Sequence, residues 1–343
     1  MHALVTARFD EKAIEKLREY IDVTYQSWCK TKRVISQEEL IELANSLKAN
    51  ILIVELEHVD REVIERVDGL KLVGVCRNDP GRNVDLEAAT ERGVPVIYTP
   101  GRNANAVAEL TVAVILMLLR KLSSICFKLK SGAVRIDSFE DFAKYYSEWM
   151  GSELYGKTVG IVGLGRIGYR VAEILRAFGA RILVYDPYVH DERVKSVGGE
   201  RVDLETLLRS SDIVTLHIPP TEETVNMIGR REIELMKPTA ILVNLANPVV
   251  VDEDALYDAL RRRRIAGAAL DVFYEEPVDS SNRFLQLENV VVTPHIGGNT
   301  VETVRRHSWM IVEDVLRYLR GERPLHLANP KVWDRVAGSS YSR

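Results

Sequence analysis

The sequence predicts an α/β fold built from two units, each a parallel β-sheet covered by helices on both faces. Two observations predict it: short apolar runs alternate with helical patterns along almost the whole chain, and this alternation is interrupted once, after residue 98, before it resumes. Alternating strands and helices indicate parallel pairing, because parallel neighbours need a crossover between them. A length of 343 residues is sufficient for two domains of ordinary size.

Residues 1–98 carry five short apolar runs separated by helical patterns. The second helical pattern has a clear start signal, a capping box formed by Ser36 and Glu39. Strands are predicted at Ala3–Ala7, Val23–Gln26, Ile51–Val54, Leu72–Cys76 and Val94–Tyr98, and helices at Glu11–Tyr20, Ser36–Leu47, Arg61–Val67 and Leu86–Arg92.

The pattern breaks at Thr99–Asn103, which reads Thr-Pro-Gly-Arg-Asn. The next segment, Asn105–Arg120, is predicted to be a long helix that is apolar on almost every face, so we expect it to be buried against another surface. Residues 121–153 are predicted to be irregular and are rich in aromatic side chains. These favour packing under a loop or at a subunit contact over a ligand pocket. They are Phe139, Phe142, Tyr145, Tyr146 and Trp149.

The segment Gly156–Asp186 has the pattern of a strand, a glycine turn, a helix and a second strand closed by an acid. Its turn, Gly163–Gly168, has the spacing G-x-G-x-x-G. Glycines there let backbone amides approach a pyrophosphate, the helix N-terminus stabilises the phosphate charge, and the acid accepts bonds from ribose hydroxyls. A glycine-rich turn alone often has only a structural reason. With strand, helix and acid all in place, the segment predicts a Rossmann-type unit that binds a dinucleotide.

The rest of the chain continues the alternation. Strands are predicted at Asp212–His217, Ala240–Asn244, Ala266–Asp271 and Val290–Val292, helices at Asp252–Arg263 and Val301–Leu319, and a loose polar tail at 331–343.

This order predicts that one domain is inserted in the other. Residues 1–99 with 297–330 would form a smaller, flavodoxin-like substrate domain, and residues 100–296 a Rossmann-type cofactor domain. The two crossings, near Thr99 and residue 296, would form a hinge, and we expect ligands to bind in the cleft between the domains.

Composition excludes several classes of function. A net charge of −4 gives no reason to expect a nucleic acid or an anionic membrane as partner. The cysteines, Cys29, Cys76 and Cys126, show neither C-x-x-C spacing nor an obvious pairing, which suits a reducing cytoplasm and argues against a metal site. The amino-terminal residues lack a signal-peptide pattern, and the most apolar run, Val112–Leu119, is too short to span a bilayer. We expect a cytoplasmic protein.

The candidate catalytic residues lie near the predicted carboxyl ends of strands, where open α/β sheets bind ligands. His295 follows the last strand, and Glu276 follows the strand before it. Hydride transfer to a carbonyl leaves an alkoxide that needs a proton, and the reverse reaction needs a base. A histidine paired with a carboxylate serves both directions. Pro294-His295 before two glycines could also be a structural turn. His217, the other histidine at a strand end, lacks an evident carboxylate partner and is interpreted as lining the cofactor groove.

Several segments together resemble the D-isomer-specific 2-hydroxyacid dehydrogenases. The resemblance covers nearly the whole chain. The matching segments are Asn83–Ala89, Thr99–Gly101, Gly163–Gly168, Thr215–His217, Met236–Pro238, Ile241–Asn244, Ala268–Phe273 and Thr293–His295.

The resemblance implies that His295 is the acid–base, that Glu276 supports it, and that Asp271 lies near the nicotinamide carboxamide. It also implies dimers or tetramers formed through the cofactor domain, and a small carboxylate substrate. The acid at Asp186, with no arginine pair next to it in sequence, favours NAD over NADP. The candidate cofactor residues are Thr99, Gly163, Gly165, Arg166, Ile167, Gly168, Asp186, His217, Ile218, Pro219, Ala246, Asp271, Gly297 and Gly298.

One departure from the family pattern concerns catalysis directly. The family places an arginine, which holds the substrate carboxylate, where this chain has Asn247; Asn244 and Ala246 match on one side and Val251–Glu253 on the other. Arginine grips a carboxylate with a charged fork, whereas asparagine offers a neutral amide. Charge-assisted hydrogen bonds contribute roughly 1.5–3 kcal/mol, against about 0.5–1.5 kcal/mol for neutral ones.

A second departure lies at Val75–Arg82, where the family has a glycine-rich loop that receives the substrate carboxylate. Here the loop is one residue longer and carries Arg77, Asn78 and Arg82. In one interpretation, Arg77, Arg82 or Arg102 supplies the missing cation and the substrate is unusual. In another, the chain keeps the cofactor but catalyses poorly, and acts as a nucleotide-linked sensor. Either substitution could also be a harmless variant in a working enzyme.

Overall fold

The computed structural model describes residues 1–334, and they divide into two compact units. Among the described residues, unit 1 comprises 1–102 and 299–334, and unit 2 comprises Asn103–Gly298. Each unit contains one sheet in which all strand pairs are parallel, so the predicted α/β fold class is confirmed. The assignment of these stretches as substrate and cofactor domains stays a prediction.

Unit 1 has a five-stranded sheet in the order β2-β1-β3-β4-β5, the order of flavodoxin-like folds. Its central strands are buried on both faces, which explains why they read as continuous apolar runs rather than alternating ones. The predicted capping box is present, since the Ser36 hydroxyl accepts from the Glu39 amide and the Glu39 carboxylate accepts from the Ser36 amide. The strands are His2–Val5 (β1), Asp22–Tyr25 (β2), Ile51–Val54 (β3), Leu72–Val75 (β4) and Val96–Tyr98 (β5); the helices are Glu11–Arg18, Trp28–Thr31, Gln37–Leu47, Arg61–Arg66, Leu86–Glu91 and Val301–Leu319, with a 3₁₀ turn at Pro80–Arg82.

The end of the described chain belongs to unit 1. The helix Val301–Leu319 buries Ile311 and Val315 in the same hydrophobic core as strand β1. The predicted loose tail begins at Lys331, but Pro330–Val332 forms a 3₁₀ turn, and the ring of Trp333 packs edge-on against Tyr318. The apolar side chains in this part of the predicted tail therefore hold it against unit 1. Residues 335–343 of that tail lie outside the described residues.

Unit 2 has a seven-stranded sheet in the order β8-β7-β6-β9-β10-β11-β12. The order reverses between β6 and β9, which creates the crevice in which Rossmann-type sheets bind ligands. The strands are Thr158–Val162 (β6), Arg181–Tyr185 (β7), Glu200–Arg201 (β8), Ile213–Leu216 (β9), Ile241–Asn244 (β10), Gly267–Leu270 (β11) and Val290–Val292 (β12).

Helices cover both faces of this sheet. The apolar helix, predicted at Asn105–Arg120 and found at Ala104–Leu119, packs against the helix that follows the glycine turn and against β11. The helices of unit 2 are Ala104–Leu119, Leu122–Lys130, Phe139–Glu148, Arg166–Ala177, Asp191–Ser196, Leu204–Ser210, Arg230–Leu235 and Glu253–Arg261, with 3₁₀ turns at Pro248–Val250 and Arg283–Gln286.

The prediction that residues 121–153 are irregular is wrong, because two helices lie there, Leu122–Lys130 and Phe139–Glu148. The second helix has a capping box, Ser138 with Asp141, which the sequence already contained. Its aromatic side chains form a ladder of ring contacts along the helix, and Phe139 and Tyr146 are 82% and 71% exposed. In the described chain these rings are therefore not covered by a loop.

Across residues 1–334, no single helix has both the length and the apolar character needed to cross a membrane. Only the pair Ala104–Leu119 and Leu122–Lys130, bent by 69° at its junction, passes on length and composition when the two are taken together.

Candidate functional site

The glycine turn after β6 is built for close backbone approach. Gly163 has a φ of +91°, and a Cβ there would lie 2.8 Å from the carbonyl oxygen of His217. A Cβ at Gly168 would lie 2.0 Å from the carbonyl oxygen of Gly163, so a side chain cannot fit at that position. Gly165 faces open space, and no side chain caps the helix Arg166–Ala177 that starts beside it. Its first backbone amides are thus free to bind an anion.

The acid at the end of β7 is tied to this turn. One Asp186 carboxylate oxygen accepts from the Leu164 amide at 2.7 Å, and the other accepts from the Tyr188 amide at 2.9 Å. These bonds fix the carboxylate beside the glycine turn while leaving lone pairs for further donors.

A pocket of about 700 Å³ opens between these strand ends. Its lining includes six of the predicted cofactor residues, and Arg166, Ile167 and Gly168 form the adjoining first turn of the helix. Burial lowers the pKa of His217 to about 3, so this ring is neutral near pH 7 and places no charge in the groove. The six lining residues are Gly163, Gly165, Asp186, His217, Ile218 and Pro219.

These features fit a dinucleotide. Free amides and a side-chain-free turn suit the pyrophosphate, and the fixed carboxylate suits ribose hydroxyls. Among residues 1–334, no group of three or more His, Cys, Asp or Glu side chains could hold a metal ion.

The loop that follows β12 is held by a single carboxylate. Asp271, at the end of β11, is 1% exposed, and its oxygens accept from the Thr293 hydroxyl at 2.6 Å, the Ile296 amide at 2.8 Å and the Gly297 amide at 2.8 Å. The bonds bracket His295 on both sides, so Asp271 sets the path of the backbone that carries this histidine. Its carboxylate is therefore engaged by the protein itself, which the sequence analysis did not foresee.

His295 and Glu276 form a pair within unit 2. The Nδ1 atom of His295 lies 2.7 Å from Oε2 of Glu276, and Oε1 of Glu276 accepts from the Phe273 amide at 3.1 Å. Because the carboxylate is an acceptor, Nδ1 carries a proton, and Nε2 is left to exchange one. The His295 side chain is 57% exposed, so Nε2 can reach a ligand.

Asn247 has a local structural role. Its side-chain oxygen accepts from the Val249 amide at 3.2 Å and caps the 3₁₀ turn Pro248–Val250, while its carbonyl accepts from the Asn244 side chain at 2.8 Å. The backbone amide of Ala246 donates a hydrogen bond to the side-chain oxygen of Asn244. Position 247 therefore presents a neutral group already engaged with its own backbone.

Of the remaining predicted cofactor residues, Gly298 belongs to unit 2 and Thr99 to unit 1. Gly298 packs on Asn103 in unit 2, where a Cβ would lie 2.8 Å from the Asn103 side-chain nitrogen. Thr99 belongs to unit 1, and its hydroxyl donates to the carbonyl of Arg77 at 3.2 Å.

The predicted substrate residues Arg77, Asn78 and Arg102 belong to unit 1. Asn78 accepts from the Gly101 amide at 2.9 Å, and Arg102 donates to Glu55 at 3.2 Å. Although burial opposes it, the hydrogen bond and charge of Arg8, together with the charge of Arg102, hold the pKa of Glu55 at about 2.

His307 is fully buried beside this cluster. Its Nε2 lies 2.7 Å from the carbonyl oxygen of Arg8 and must donate, so Nδ1 accepts from Arg102 at 2.6 Å. Burial, and then the charge of Arg102, lower the pKa of His307 to about 4.

Two residues near the cofactor turn escaped the sequence analysis. Arg193 donates to the carbonyls of Leu164 and Gly165, and Arg201 donates to the carbonyl of Asp186 and pairs with Asp191. No arginine pair adjoins Asp186 in sequence, but the fold brings these two guanidiniums close to it. Both donate to backbone carbonyls, and Arg201 also pairs with an acid. No motif in the sequence signals such contacts.

Comparison with known proteins agrees with this geometry. Residues 112–297 match the family model described as D-isomer specific 2-hydroxyacid dehydrogenase, NAD binding domain. YoaD of Bacillus subtilis (strain 168), named as a 2-hydroxyacid dehydrogenase, is 42% identical over 95% of this chain and 93% of its own length. A D-3-phosphoglycerate dehydrogenase of Archaeoglobus fulgidus is 38% identical over 94% of this chain, which spans 58% of that protein. A solved structure of a Thermus thermophilus protein matches with a TM-score of 0.85 and 33% identity, covering 96% of this chain and 100% of that one.

The buried His307 predicts a pH-dependent stability. Its folded pKa of about 4 lies below the ordinary 6.5, so the unfolded chain binds the extra proton between those values, and stability falls as pH drops through that window. The change amounts to about 3 kcal/mol. Thermal unfolding of the wild type and of His307→Gln is compared at pH 7 and at pH 4.5. The wild type should be more stable than the variant at pH 7 and should lose that advantage at pH 4.5. His58→Gln, at an exposed histidine of unit 1, is the control and should follow the wild type. If the wild type and His307→Gln lose the same stability between pH 7 and pH 4.5, this account is contradicted.

Proposed function

Because this chain belongs to the D-isomer specific 2-hydroxyacid dehydrogenase family and its cofactor is NAD, we propose that it interconverts a small 2-hydroxy acid and the matching 2-keto acid, with His295 as acid and base. The observation that carries the proposal is the 2.7 Å contact between His295 and Glu276, on a loop bracketed by bonds to Asp271. When bound, NAD supplies or accepts the hydride.

The residues of the chain supply the proton. In the direction of reduction, Nε2 of protonated His295 donates to the carbonyl oxygen as it becomes an alkoxide, and in the direction of oxidation neutral Nε2 takes the hydroxyl proton. Glu276 fixes the ring through Nδ1 in both directions. The Phe273 amide holds Glu276 through its other oxygen.

Variants of the pair test this role. Replacing His295 by Gln removes the proton donor and should lower kcat by roughly a hundredfold to ten-thousandfold on any 2-keto acid that the wild type reduces. Glu276→Gln keeps the shape but offers Nδ1 a neutral acceptor in place of a charged one, so the ring is held less firmly and kcat should fall less than in His295→Gln. Glu275→Gln is the matched control, because Glu275 is the exposed neighbour outside the pair. NADH oxidation is followed at 340 nm on a panel of 2-keto acids, and calorimetry checks that each variant still binds NADH. Undiminished kcat in His295→Gln would rule out this histidine as the acid–base.

A second candidate function is an NAD(H)-linked sensor with impaired catalysis. One observation favours it: the Asn247 side chain stands where the family has its arginine and is bonded to its own turn. The proposed dehydrogenase remains our conclusion, and the 2.7 Å contact between His295 and Glu276 supports it.

Asn247→Arg separates the two functions. If the native site has lost the family chemistry, the new guanidinium should raise kcat/KM on common 2-keto acids by roughly tenfold or more, since charge-assisted bonds exceed neutral ones by about 1–1.5 kcal/mol. If the wild type already reduces an unusual 2-keto acid and the variant gains nothing, the site has been re-specified. No turnover by the wild type on any panel member would favour the sensor. Asn247→Ala, which loses the cap without adding a charge, is the control.

We also propose a homodimer or homotetramer in the cytoplasm. Exposed aromatic side chains on Leu122–Lys130 and Phe139–Glu148 support self-association, and the three cysteines, all within the described residues and all unpaired, support a reducing compartment.

The molecular mass in solution tests the proposed oligomer. Phe127 and Phe139 are 71% and 82% exposed, so the double variant Phe127→Ser/Phe139→Ser should shift the protein toward monomer in light scattering coupled to gel filtration. Tyr20→Ser removes an aromatic ring of unit 1 that is 56% exposed and should leave the size unchanged. An unaltered mass in the double variant would place the subunit contact elsewhere.

A further inference from the structure

Two loops on the rim of the unit 2 pocket are joined to each other. Tyr188 lies in the loop after β7 and Glu223 in the loop after β9, and both side chains line the pocket. The Tyr188 hydroxyl donates a hydrogen bond to Oε2 of Glu223, and we call this contact the Tyr188–Glu223 bridge. Because β7 and β9 lie on either side of β6, the bridge connects the two sides of the crevice where the strand order reverses.

The loop that carries Tyr188 is fixed through its backbone. The Tyr188 amide donates to Oδ1 of Asp186 at 2.9 Å. Arg201 donates to the carbonyls of Asp186 and Val189, which precede and follow Tyr188. The same guanidinium pairs with Asp191 at 2.6 Å. The backbone on both sides of Tyr188 is therefore held, whereas its side chain is 77% exposed and can rotate.

The loop that carries Glu223 is fixed by the residue that follows it. The Thr224 hydroxyl accepts from the Thr221 amide at 2.7 Å and donates to the Pro219 carbonyl at 2.7 Å. Thr224 is buried, so these bonds are shielded from water, whereas Glu223 is exposed. With both backbones held, the bridge breaks and forms again by rotation of two exposed side chains.

The pocket has room for a ligand while the bridge is formed. Its volume of about 700 Å³ exists with Tyr188 bonded to Glu223, and ligand sites in proteins have volumes of roughly 300–1,000 Å³. The hydrogen bond to Glu223 raises the pKa of Tyr188, so the hydroxyl keeps the proton that it donates. The bridge can therefore be closed over an empty pocket and over an occupied one.

We propose that the Tyr188–Glu223 bridge is a gate on the groove in which NAD binds, and that it opens for the cofactor to enter and to leave. The inference rests on the proposed function, since it places NAD in this groove. Exposed side chains change rotamer in picoseconds to nanoseconds, so the gate opens and closes many times during one encounter. The rate constants of entry and release are each multiplied by the open fraction. The gate therefore slows both steps and leaves the affinity nearly unchanged.

Stopped-flow mixing of the full chain with NADH, followed by nicotinamide fluorescence, tests the gate. Tyr188→Phe keeps the ring and removes the donor. Both the association and the dissociation rate constants should rise by roughly threefold to tenfold, with Kd within about twofold of the wild-type value, because one hydrogen bond to a charged acceptor is lost in the empty and in the occupied groove. Thermal unfolding confirms that the variant is folded.

A double-variant cycle shows whether the two side chains act through one contact. Glu223→Ala removes the acceptor and should accelerate both steps as Tyr188→Phe does. The double variant Tyr188→Phe/Glu223→Ala should be no faster than either single variant, because both substitutions remove the same bond. Tyr155→Phe is the matched control and should keep the wild-type rates. Tyr155 is also 77% exposed, and its ring lies beside Gly179, past the far end of the helix Arg166–Ala177.

The rate constants decide between the gate and other roles. Unchanged rates in Tyr188→Phe would overturn the gate and leave NAD as the cofactor. Faster dissociation alone, with weaker affinity, would make Tyr188 a cofactor contact and would overturn the gate. Faster association alone, with tighter affinity, would mean that bound cofactor excludes the bridge, which also overturns it. Accelerated entry and release in a chain that reduces no 2-keto acid would support the gate and count against the proposed reaction.

Discussion

The three hydrogen bonds accepted by the buried carboxylate of Asp271 hold the loop of unit 2 that carries His295. The amides of Ile296 and Gly297, which follow His295, would otherwise lack these partners, and an unsatisfied buried amide costs about 1–3 kcal/mol. Since these bonds are made within the protein, the histidine is oriented before any ligand arrives. Binding then has less disorder to remove, which favours both affinity and rate.

Parallel sheets explain why the important side chains collect where they do. In unit 2, the glycine turn, Asp186 and Asp271 all follow the carboxyl ends of strands, and in unit 1 Arg77 and Arg102 do the same. Backbone amides and carbonyls beyond the last ladder pair are unpaired at these ends, so side chains and ligands must satisfy them. In each unit, therefore, the polar and charged groups collect at one edge of the sheet, and the two edges carry different kinds of groups. Unit 2 offers backbone amides and a histidine–carboxylate pair, and unit 1 offers guanidiniums.

Much of this could be predicted from the sequence, for reasons that are local. The glycine turn and the capping box at Ser36 depend on residues a few positions apart, and the pairing of His295 with Glu276 follows from two neighbouring strand ends. The features that the sequence does not predict depend on distant contacts or on weak patterns. The burial of His307 arises from Arg8 and Arg102, each about two hundred residues or more away along the chain, and no local pattern marks it. The helix Phe139–Glu148 has a start signal at Ser138, but aromatic density alone favours packing under a loop or at a subunit contact and does not indicate a helix.

Asn247 couples chemistry to folding at one position. Its side chain closes a 3₁₀ turn, and loss of such a cap costs about 0.5–2 kcal/mol. An arginine cannot accept a hydrogen bond, so an arginine at position 247 would leave the Val249 amide without this cap. Any substitution that places a cation here therefore gains a charge and loses a local turn at the same time. A change in turnover at this position has to be interpreted together with the change in melting temperature.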